Sequence, residues 1–582
     1  MYSQLYSSLN NISNNEFESI IVDKKTPVEN YLNINIEKTV QLYKEKKNEN
    51  LYVIEDNNGK EKEVFIKYIT LVDFLKYLIG KYKNDDMNIM PGICDTSLNN
   101  PENSKYVKYI NEHNNYAYVD SLFYYLSGLL NNHYNFPHGI QCYDSFICQK
   151  INCKINIADD FEYLCDSNYF NDNMNKLFHF DDKNISEIFN ETKKEALNIM
   201  EDIDINNLLD DVEPIDINIE DMDNCDNIIT EDVVLDISNN DDCINLENND
   251  SSSDENEEET TDDSSDENET SDDDYEDSDE EDESIDIEVE DDSDDNTVDM
   301  ENEDSSEEDC DDSDEDNDSD DEELEDDLFL RINKMPTQVV VIENCNNTLD
   351  SLLENDLLPP NELESCIFQL LIILYVYQTL FGFTHNDLHT NNVMYIETEE
   401  EFLYYTINEK HYKIPTYGKI FKIIDFGRAI YNYNNKLLCS DSFSSNGTAH
   451  TQYNFEPFYN AKKPEILPNP SFDLCRLACS LFDFICDDIK NITQYRNNEP
   501  IYDLVFSWLY DDNNRNVLYK SNGEDKYPGF KLYKMISKLV HNHIPAKQFS
   551  HKCFEKYACE THENNDNIIH IDKLCEEYNK NN

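Results

Sequence analysis

The sequence predicts an α+β protein in which strands come first, helices follow, and a long acidic segment interrupts the fold. Leu51–Glu55 and Glu63–Thr70 are β-rich segments around an Asn-Gly turn, which is the pattern of a β-hairpin. Apolar residues recur at helical spacing in Tyr116–Leu130, and Asn361–Phe383 is a long, continuously apolar run. Residues 201–330 carry 65 Asp and Glu and no Lys or Arg.

The negative charge of the chain is concentrated in that one segment. The formal net charge is -83, from 127 acidic and 44 basic residues, so only -18 remains for the rest of the chain. A segment of this composition buries too little apolar surface to offset the entropy lost on ordering, and its charges repel one another. We therefore divide the chain into residues 1–200, a disordered acidic insert at 201–327, and residues 328–582.

Short apolar runs predict the remaining elements. The most apolar run, Cys366–Phe383, contains two Gln residues and falls short of about 20 apolar residues, which favours a buried helix over a membrane span. The 17 Cys have no framework spacing, and the first residues have no signal-peptide pattern, which indicates the reducing environment of the cytoplasm. Strands are predicted at 139–149, 338–342, 392–396 and 419–424, and helices from about 472 onwards.

The segment that carries chemistry directly follows the long apolar helix. The sequence THNDLHTNN at 384–392 is followed about 30 residues later by IIDFG at 423–427. Phosphoryl transfer needs an Asp near the acceptor hydroxyl, and an amide oxygen and a second carboxylate for the metal ions that bridge the phosphates. Asp387, Asn392 and Asp425 are residues of the required types.

In these motifs the sequence resembles the protein kinase superfamily, which implies a bilobal fold with a small β-rich lobe and a mainly helical large lobe. The resemblance implies that Asp387 is the catalytic base and that Asn392 and Asp425 bind Mg²⁺. It implies a structural role for His385 and for Phe426-Gly427, which complete the two motifs. The implied cofactors are ATP and Mg²⁺.

The small lobe of the family has counterparts upstream. Val64–Lys67 resembles the strand whose lysine contacts the α- and β-phosphates. The helix at 116–130 offers Asp120, in place of the usual Glu, as the partner of Lys67, with Glu112 as the alternative.

The hinge and the large lobe have counterparts downstream. Residues 339–345 resemble the fifth strand and the hinge, which implies that Ile342 is the gatekeeper and that the backbone at Glu343 and Cys345 contacts adenine. Asp473 is implied to brace the catalytic loop. The acidic insert then lies between the fourth and fifth strands, where a long loop adds little closure entropy.

The sequence also departs from the family pattern. No G-x-G-x-x-G precedes Lys67, and residues 39–51 are rich in Lys and Asn instead. Asn386 replaces the Arg of His-Arg-Asp, and His389 takes the catalytic position usually held by Lys, as in some small-molecule kinases. No clean A-P-E motif follows; Pro464-Glu465 is the nearest match.

A narrower resemblance joins four segments, namely EVFIKYITLVDFLKYLIGKY, AYVDSLFYYLSGLL, THNDLHTNNVMY and SFDLCRLACSLFDF. Together they resemble the serine/threonine protein kinases of giant amoeba-infecting DNA viruses. This resemblance implies ATP-dependent phosphorylation of host or viral proteins, in the cytoplasm of an infected cell or in association with the virion. Two alternatives stay open: a pseudokinase that acts as a binding scaffold through its acidic insert, and a small-molecule kinase.

The acidic insert admits three interpretations. It is a solvated tether, a binding segment for basic proteins, or a target of acid-directed kinases, as the run SSSDE at 251–255 indicates. Direct binding to nucleic acid is not expected, because both are negatively charged. No membrane association is expected.

Overall fold

The computed structural model describes residues 2–21, 24–92, 104–158, 160–181, 328–486, 488–520, 522–560 and 568–581. The acidic insert predicted at 201–327 lies outside the described residues. The prediction of an α+β fold is confirmed.

The helices are α1 (Tyr2–Ile12), α2 (Pro27–Leu32), α3 (Phe74–Leu78), α4 (Lys105–Ile110), α5 (Tyr116–Tyr134), α6 (Phe161–Cys165), α7 (Asn168–Asn173), α8 (Leu349–Glu354), α9 (Pro360–Phe381), α10 (Phe472–Ile485), α11 (Ile492–Asn498), α12 (Pro500–Ser507), α13 (Lys531–Leu539), α14 (Pro545–Gln548) and α15 (Ile571–Asn581). The strands are β1 (Phe17–Ile21), β2 (Val40–Lys46), β3 (Leu51–Asp56), β4 (Glu61–Thr70), β5 (Cys142–Asn156), β6 (Phe178–Phe180), β7 (Phe329–Glu343), β8 (Asn347–Thr348), β9 (Val393–Glu397), β10 (Phe402–Ile407), β11 (Lys410–Pro415), β12 (Lys419–Ile423), β13 (Ile430–Tyr433), β14 (Lys436–Cys439), β15 (Ala558–Cys559) and β16 (Ile568–His570).

The main sheet is antiparallel and curls into a half-barrel. Its strand order is β1-β5-β7-β4-β3-β2, with β6 paired to β7. Side chains alternate along a strand, so Val64 and Ile66 of β4 enter a core shared with Leu9 of α1. Phe65 and Lys67 therefore lie on the opposite face of the sheet.

Two long helices, α5 and α9, supply much of the main core. Phe123 of α5 packs its ring 5.0 Å from Tyr377 of α9 and 4.3 Å from Phe383, which follows that helix. Among the described residues α9 is the helix long and apolar enough to cross a membrane, and 78% of its most apolar window is buried within the protein. The prediction of a buried helix here is confirmed.

The predicted hairpin and both predicted helices are confirmed, with α5 extended to Tyr134. The strands predicted at 139–149 and 338–342 are longer in the structure and form β5 and β7. Helix α9 ends at Gly382, whose φ of 57° closes the last turn in the left-handed conformation.

The expectation that strands precede helices is wrong in part, because β8–β16 all follow the main sheet along the chain. The hairpin β10–β11 pairs with β15 and β16, which lie more than a hundred residues later. Its turn is Asn408-Glu409, with φ of 49° and 63°, instead of the Asn-Gly pair that marks such turns. Neither feature gives a strong local signal.

Candidate active site

A cavity of about 780 Å³ lies between the main sheet and the residues that follow α9. Phe65 and Lys67 of β4 line it from the sheet, and residues 342–345 line it at the end of β7. Met394 and Asp425 line the opposite side. The cavity therefore brings together segments that are far apart in the sequence.

Lys67, which lines this cavity, forms two ion pairs. Its Nζ lies 2.8 Å from Asp120 Oδ2 and 2.9 Å from Asp425 Oδ1. The Asp120 side chain is fully buried, whereas that of Asp425 is 52% exposed. Glu112, the alternative partner of Lys67, instead contacts His113 at 2.8 Å.

Burial and the neighbouring opposite charges shift the pKa values of Lys67, Asp120 and Asp425 in opposite directions. Burial raises the pKa of Asp120 to about 6. Burial favours a lower pKa for Lys67, but Asp120 and Asp425 together raise that pKa well above its usual value. Lys67 lowers the pKa of Asp425 to about 2, so this carboxylate is anionic at neutral pH.

Helix α5 also fixes the backbone of the Asp-Phe-Gly motif. Asp425 has a left-handed φ of 63°, a conformation that costs about 1 kcal/mol for a residue with a side chain. Its N–H donates to the Tyr124 hydroxyl at 2.9 Å, and the Phe426 N–H donates to Asp120 Oδ1 at 2.6 Å. The Phe426 ring packs 4.7 Å from Phe123. The carbonyl of Gly427 accepts from the Ser440 hydroxyl at 2.6 Å.

Asp473, at the start of α10, holds the loop that carries Asp387. It accepts the backbone N–H groups of His385 and Asn386, both at 2.9 Å. Burial raises the pKa of Asp473. His385 Nε2 lies 2.8 Å from the carbonyl of Ile424, so the same loop contacts the residue between β12 and Asp425.

Asn386, between His385 and Asp387, links the loop to the segment after Asp425. It adopts a left-handed φ of 65°, which Asn tolerates better than most residues. Its amide donates to the Arg428 carbonyl at 2.9 Å and accepts from the Tyr453 hydroxyl at 2.7 Å. Pro464 and Glu465, further along this segment, are exposed.

His389 contacts Asn392 and not the Asp387 carboxylate. Asn392 Nδ2 lies 3.1 Å from His389 Nε2 and donates to the Asp387 backbone carbonyl at 2.9 Å. Burial lowers the pKa of His389, which fits a neutral ring that accepts the Asn392 amide. With both amide hydrogens so used, Asn392 Oδ1 is the atom suited to a cation.

Three residues that the sequence did not single out surround Asp387. The Tyr533 hydroxyl donates to Asp387 Oδ1 at 2.7 Å, and Arg428 Nη1 lies 3.4 Å from Oδ2. Arg476 Nε in turn donates to the Tyr533 hydroxyl at 2.9 Å. Arg428 directly follows the Asp-Phe-Gly motif, but Tyr533 is 146 residues from Asp387 and has no motif of its own.

Glu343 and Cys345 both line the cavity at the end of β7. The Glu343 N–H donates to the Gln141 carbonyl at 2.9 Å, and its carboxylate lies 2.9 Å from Lys422, a fully buried lysine. Lys422 also donates to the carbonyls of Pro137 and Gly139 at 2.9 and 3.0 Å. Ile342, the predicted gatekeeper, is buried beside them.

Residues 39–51, which contain no glycine-rich motif, form β2 and the turn that leads to β3. Residues 48–50 of this turn line the cavity. Asn50 donates to the Ile66 carbonyl at 2.8 Å, and Tyr68 donates to the Glu49 carbonyl at 3.2 Å. Arg331 pairs with the Glu49 carboxylate at 3.3 Å. Side-chain contacts thus hold this turn over the cavity.

The donors near Lys67 suit a hard divalent cation better than a soft one. Asp425 offers a half-exposed carboxylate, and Asn392 offers an amide oxygen. Mg²⁺ is commonly held by one or two carboxylates together with substrate phosphates and water. Within the described residues no group of three or more His, Cys, Asp or Glu side chains is placed to hold a metal ion.

A comparison with models of known protein families gives no match to this chain. A comparison with curated proteins likewise gives no match.

Proposed function

We propose that this chain is an ATP-dependent protein kinase that phosphorylates Ser or Thr residues, with a bilobal kinase-like fold. The observation that carries the proposal is the pair of contacts that Lys67, a residue of the cavity wall, makes with Asp120 and Asp425. Phosphoryl transfer depends on placing a lysine and a metal-binding carboxylate at the phosphates of the nucleotide. The contacts of Lys67 support such a placement.

The arrangement of elements supports the proposed fold. The curled sheet with α5 would be the small lobe, and residues after Cys345 would be the large lobe. Residues 344–346, between β7 and β8, would be the hinge and would contact the adenine base.

Each proposed role has a group of suitable chemistry. Lys67 would hold the α- and β-phosphates by charge, and Asp425 and Asn392 would hold Mg²⁺. When bound, this ion neutralises charge that develops on the phosphates. Asp387 would accept the proton of the attacking hydroxyl. Asp473 positions Asp387 through its two hydrogen bonds to the loop backbone.

The cellular setting is proposed from the sequence and its cysteines. Most of the Cys residues in the described part of the chain are buried, and all are free thiols there. Free thiols of this kind are typical of a reducing compartment. We propose that the protein acts in the cytoplasm of an infected host cell.

The test is a phosphotransfer assay with the full chain. Purified protein is incubated with γ-labelled ATP and Mg²⁺, alone and with acidic or basic protein substrates, and in parallel with small alcohols. The variants are Asp387→Ala and Asp425→Ala. The matched control is Asp172→Ala, which removes an exposed carboxylate on α7.

Label on Ser or Thr that disappears in Asp387→Ala and Asp425→Ala, and persists in Asp172→Ala, is the expected result. ATP binding with no transfer to any acceptor would indicate a pseudokinase instead. Label on small alcohols and never on protein would indicate a small-molecule kinase.

A further inference from the structure

The side chains that surround Asp387 are cationic and aromatic. Arg428 contacts its carboxylate at 3.4 Å, and Arg476 contacts the Tyr533 hydroxyl, which itself binds that carboxylate. Both guanidinium groups also lie against the Tyr533 ring, with Cζ 5.7 and 5.3 Å from its centroid. The surroundings of the proposed base thus hold two positive charges.

A third positive charge, Lys534, lies on helix α13, which also carries Tyr533. Phe530 stacks on Tyr533 with ring centroids 5.3 Å apart, and Lys534 Nζ lies 5.9 Å from the Phe530 ring centroid. Helix α13 (KLYKMISKL) contains three lysines and no acidic residue. Lys534 is therefore connected to Asp387 through a short series of ring contacts.

Two more basic residues come from the segment between Asp425 and α10. Burial lowers the pKa of His450, and the positive charges of Lys463 and Lys534 lower it further, so these three groups lie within electrostatic range of one another. The Ser537 hydroxyl donates to the Gln452 carbonyl at 2.8 Å, which joins α13 to this segment. We call Arg428, His450, Lys463, Arg476 and Lys534 the cationic rim.

The cationic rim contrasts with the charge of the rest of the chain. The chain carries 127 acidic and 44 basic residues, yet within the described residues neither Arg476 nor Lys534 forms an ion pair with a carboxylate. Arg428 pairs with Asp387. The positive charges of the rim still repel one another, and an anionic ligand would relieve this repulsion. The rim lies where residues flanking an acceptor hydroxyl at Asp387 would pass.

We propose that the cationic rim selects acceptor Ser or Thr residues that are flanked by Asp and Glu in a partner protein. The inference rests on the proposed kinase function and names its substrate class. In the transfer, the acceptor oxygen forms a bond to the γ-phosphorus as the bond to the β–γ bridging oxygen breaks. The products are phosphoserine and ADP, and the hydroxyl proton passes to Asp387.

The experiment compares three synthetic peptides as substrates of the full chain. One copies residues 251–259, one replaces every acidic residue with its amide, and one replaces every acidic residue with Lys. We expect kcat/KM to be at least about tenfold higher for the acidic peptide than for the neutral one, and to be lowest for the basic one. The difference in kcat/KM between the peptides should become smaller in high salt, because His450 and Lys463 of the rim are exposed.

Charge reversal tests whether residues of the cationic rim cause the preference for the acidic peptide. The double variant Lys463→Glu with Lys534→Glu should lose the preference for the acidic peptide while its KM for ATP stays unchanged. The control is Lys410→Glu with Lys573→Glu, the same charge change at exposed positions on β11 and α15. It should keep the preference.

The outcomes separate the inference from the proposed function. Equal or better transfer to the neutral or basic peptide overturns the acidic specificity and leaves the kinase function standing. A preference that survives charge reversal at Lys463 and Lys534 overturns the role of the rim. No transfer by the wild-type chain to any peptide or protein overturns the kinase function, and the inference with it.

Discussion

The hydroxyl of Tyr533 donates a hydrogen bond to Asp387 Oδ1 at 2.7 Å, and Arg476 donates to the same hydroxyl at 2.9 Å. This relay places a donor beside the proposed base. His389, two residues after Asp387, contacts Asn392 instead of this carboxylate. Tyr533 thus supplies from α13 a contact that the loop lacks.

Replacing Tyr533 with Phe removes this hydrogen bond and keeps the ring. A hydrogen bond to a charged group contributes about 1.5–3 kcal/mol, so we expect kcat for peptide phosphorylation to fall by about tenfold or more. The KM for ATP should not change, because Tyr533 does not line the cavity. Steady-state kinetics at saturating peptide measures both values. A rise in kcat would show that Tyr533 blocks Asp387 instead of positioning it.

Asp120→Asn tests the ion pair with Lys67. The amide oxygen can still accept the Phe426 N–H, but the negative charge beside Lys67 is lost. We expect kcat/KM for ATP to fall by about 100-fold, as when a preorganised charge is removed from an active site. The matched control is Glu112→Gln, which makes the same charge change at the alternative partner and should leave kcat/KM unchanged. The reverse pattern would assign the pairing to Glu112.

Much of the candidate site could be predicted because its residues fall in short, ordered motifs. The segments at Asp387 and Asp425 each lie within a few residues, so their spacing is visible in the sequence. Asp120 could be proposed because it is the one carboxylate on an otherwise apolar helix. Its short side chain still reaches Lys67, at 2.8 Å.

The rest of the site depends on contacts between distant segments. Tyr533 lies on a lysine-rich amphipathic helix, where a tyrosine is ordinarily a packing residue, and its partner is 146 residues away. The pairing of β10–β11 with β15 and β16 could not be predicted either, because these strands are also far apart in the sequence. Local patterns predict elements and motifs, but they do not predict which helix face meets which loop.

Asp441 provides a test through the pH dependence of stability. Burial raises its pKa to about 6, from about 3.9 in an unfolded chain. Between these values the unfolded chain releases its proton first, so the free energy of unfolding falls as the pH rises. Asp441→Asn lacks this titration and keeps an acceptor for the Tyr116 N–H, which donates to Asp441 at 2.9 Å.

The stability of the wild-type chain relative to Asp441→Asn should therefore fall by about 2 kcal/mol between pH 4 and pH 7. Urea unfolding at several pH values measures this difference, in which the titration of the other carboxylates cancels. Asp172→Asn, at an exposed site, should run parallel to the wild type. A constant difference between the wild type and Asp441→Asn would show that Asp441 titrates normally in the folded protein.

Phe65 provides a test of the base-binding end of the cavity. Its ring is 37% exposed, lies on the same face of β4 as Lys67, and pairs across the sheet with Ile342. An exposed aromatic face beside the proposed hinge is suited to stack on a base, an interaction that contributes about 1–3 kcal/mol. We therefore expect Phe65→Ala to weaken ATP binding by about tenfold.

Two controls separate base stacking from other effects of Phe65→Ala. Binding of inorganic tripolyphosphate should not change, because Lys67 remains in place. Leu42→Ala removes a side chain of similar exposure, 38%, on β2 and outside the cavity, and should leave ATP binding intact. Isothermal titration calorimetry measures each affinity. Tighter ATP binding in Phe65→Ala would show that the ring fills the space of the base, and the nucleotide would then have to displace it on binding.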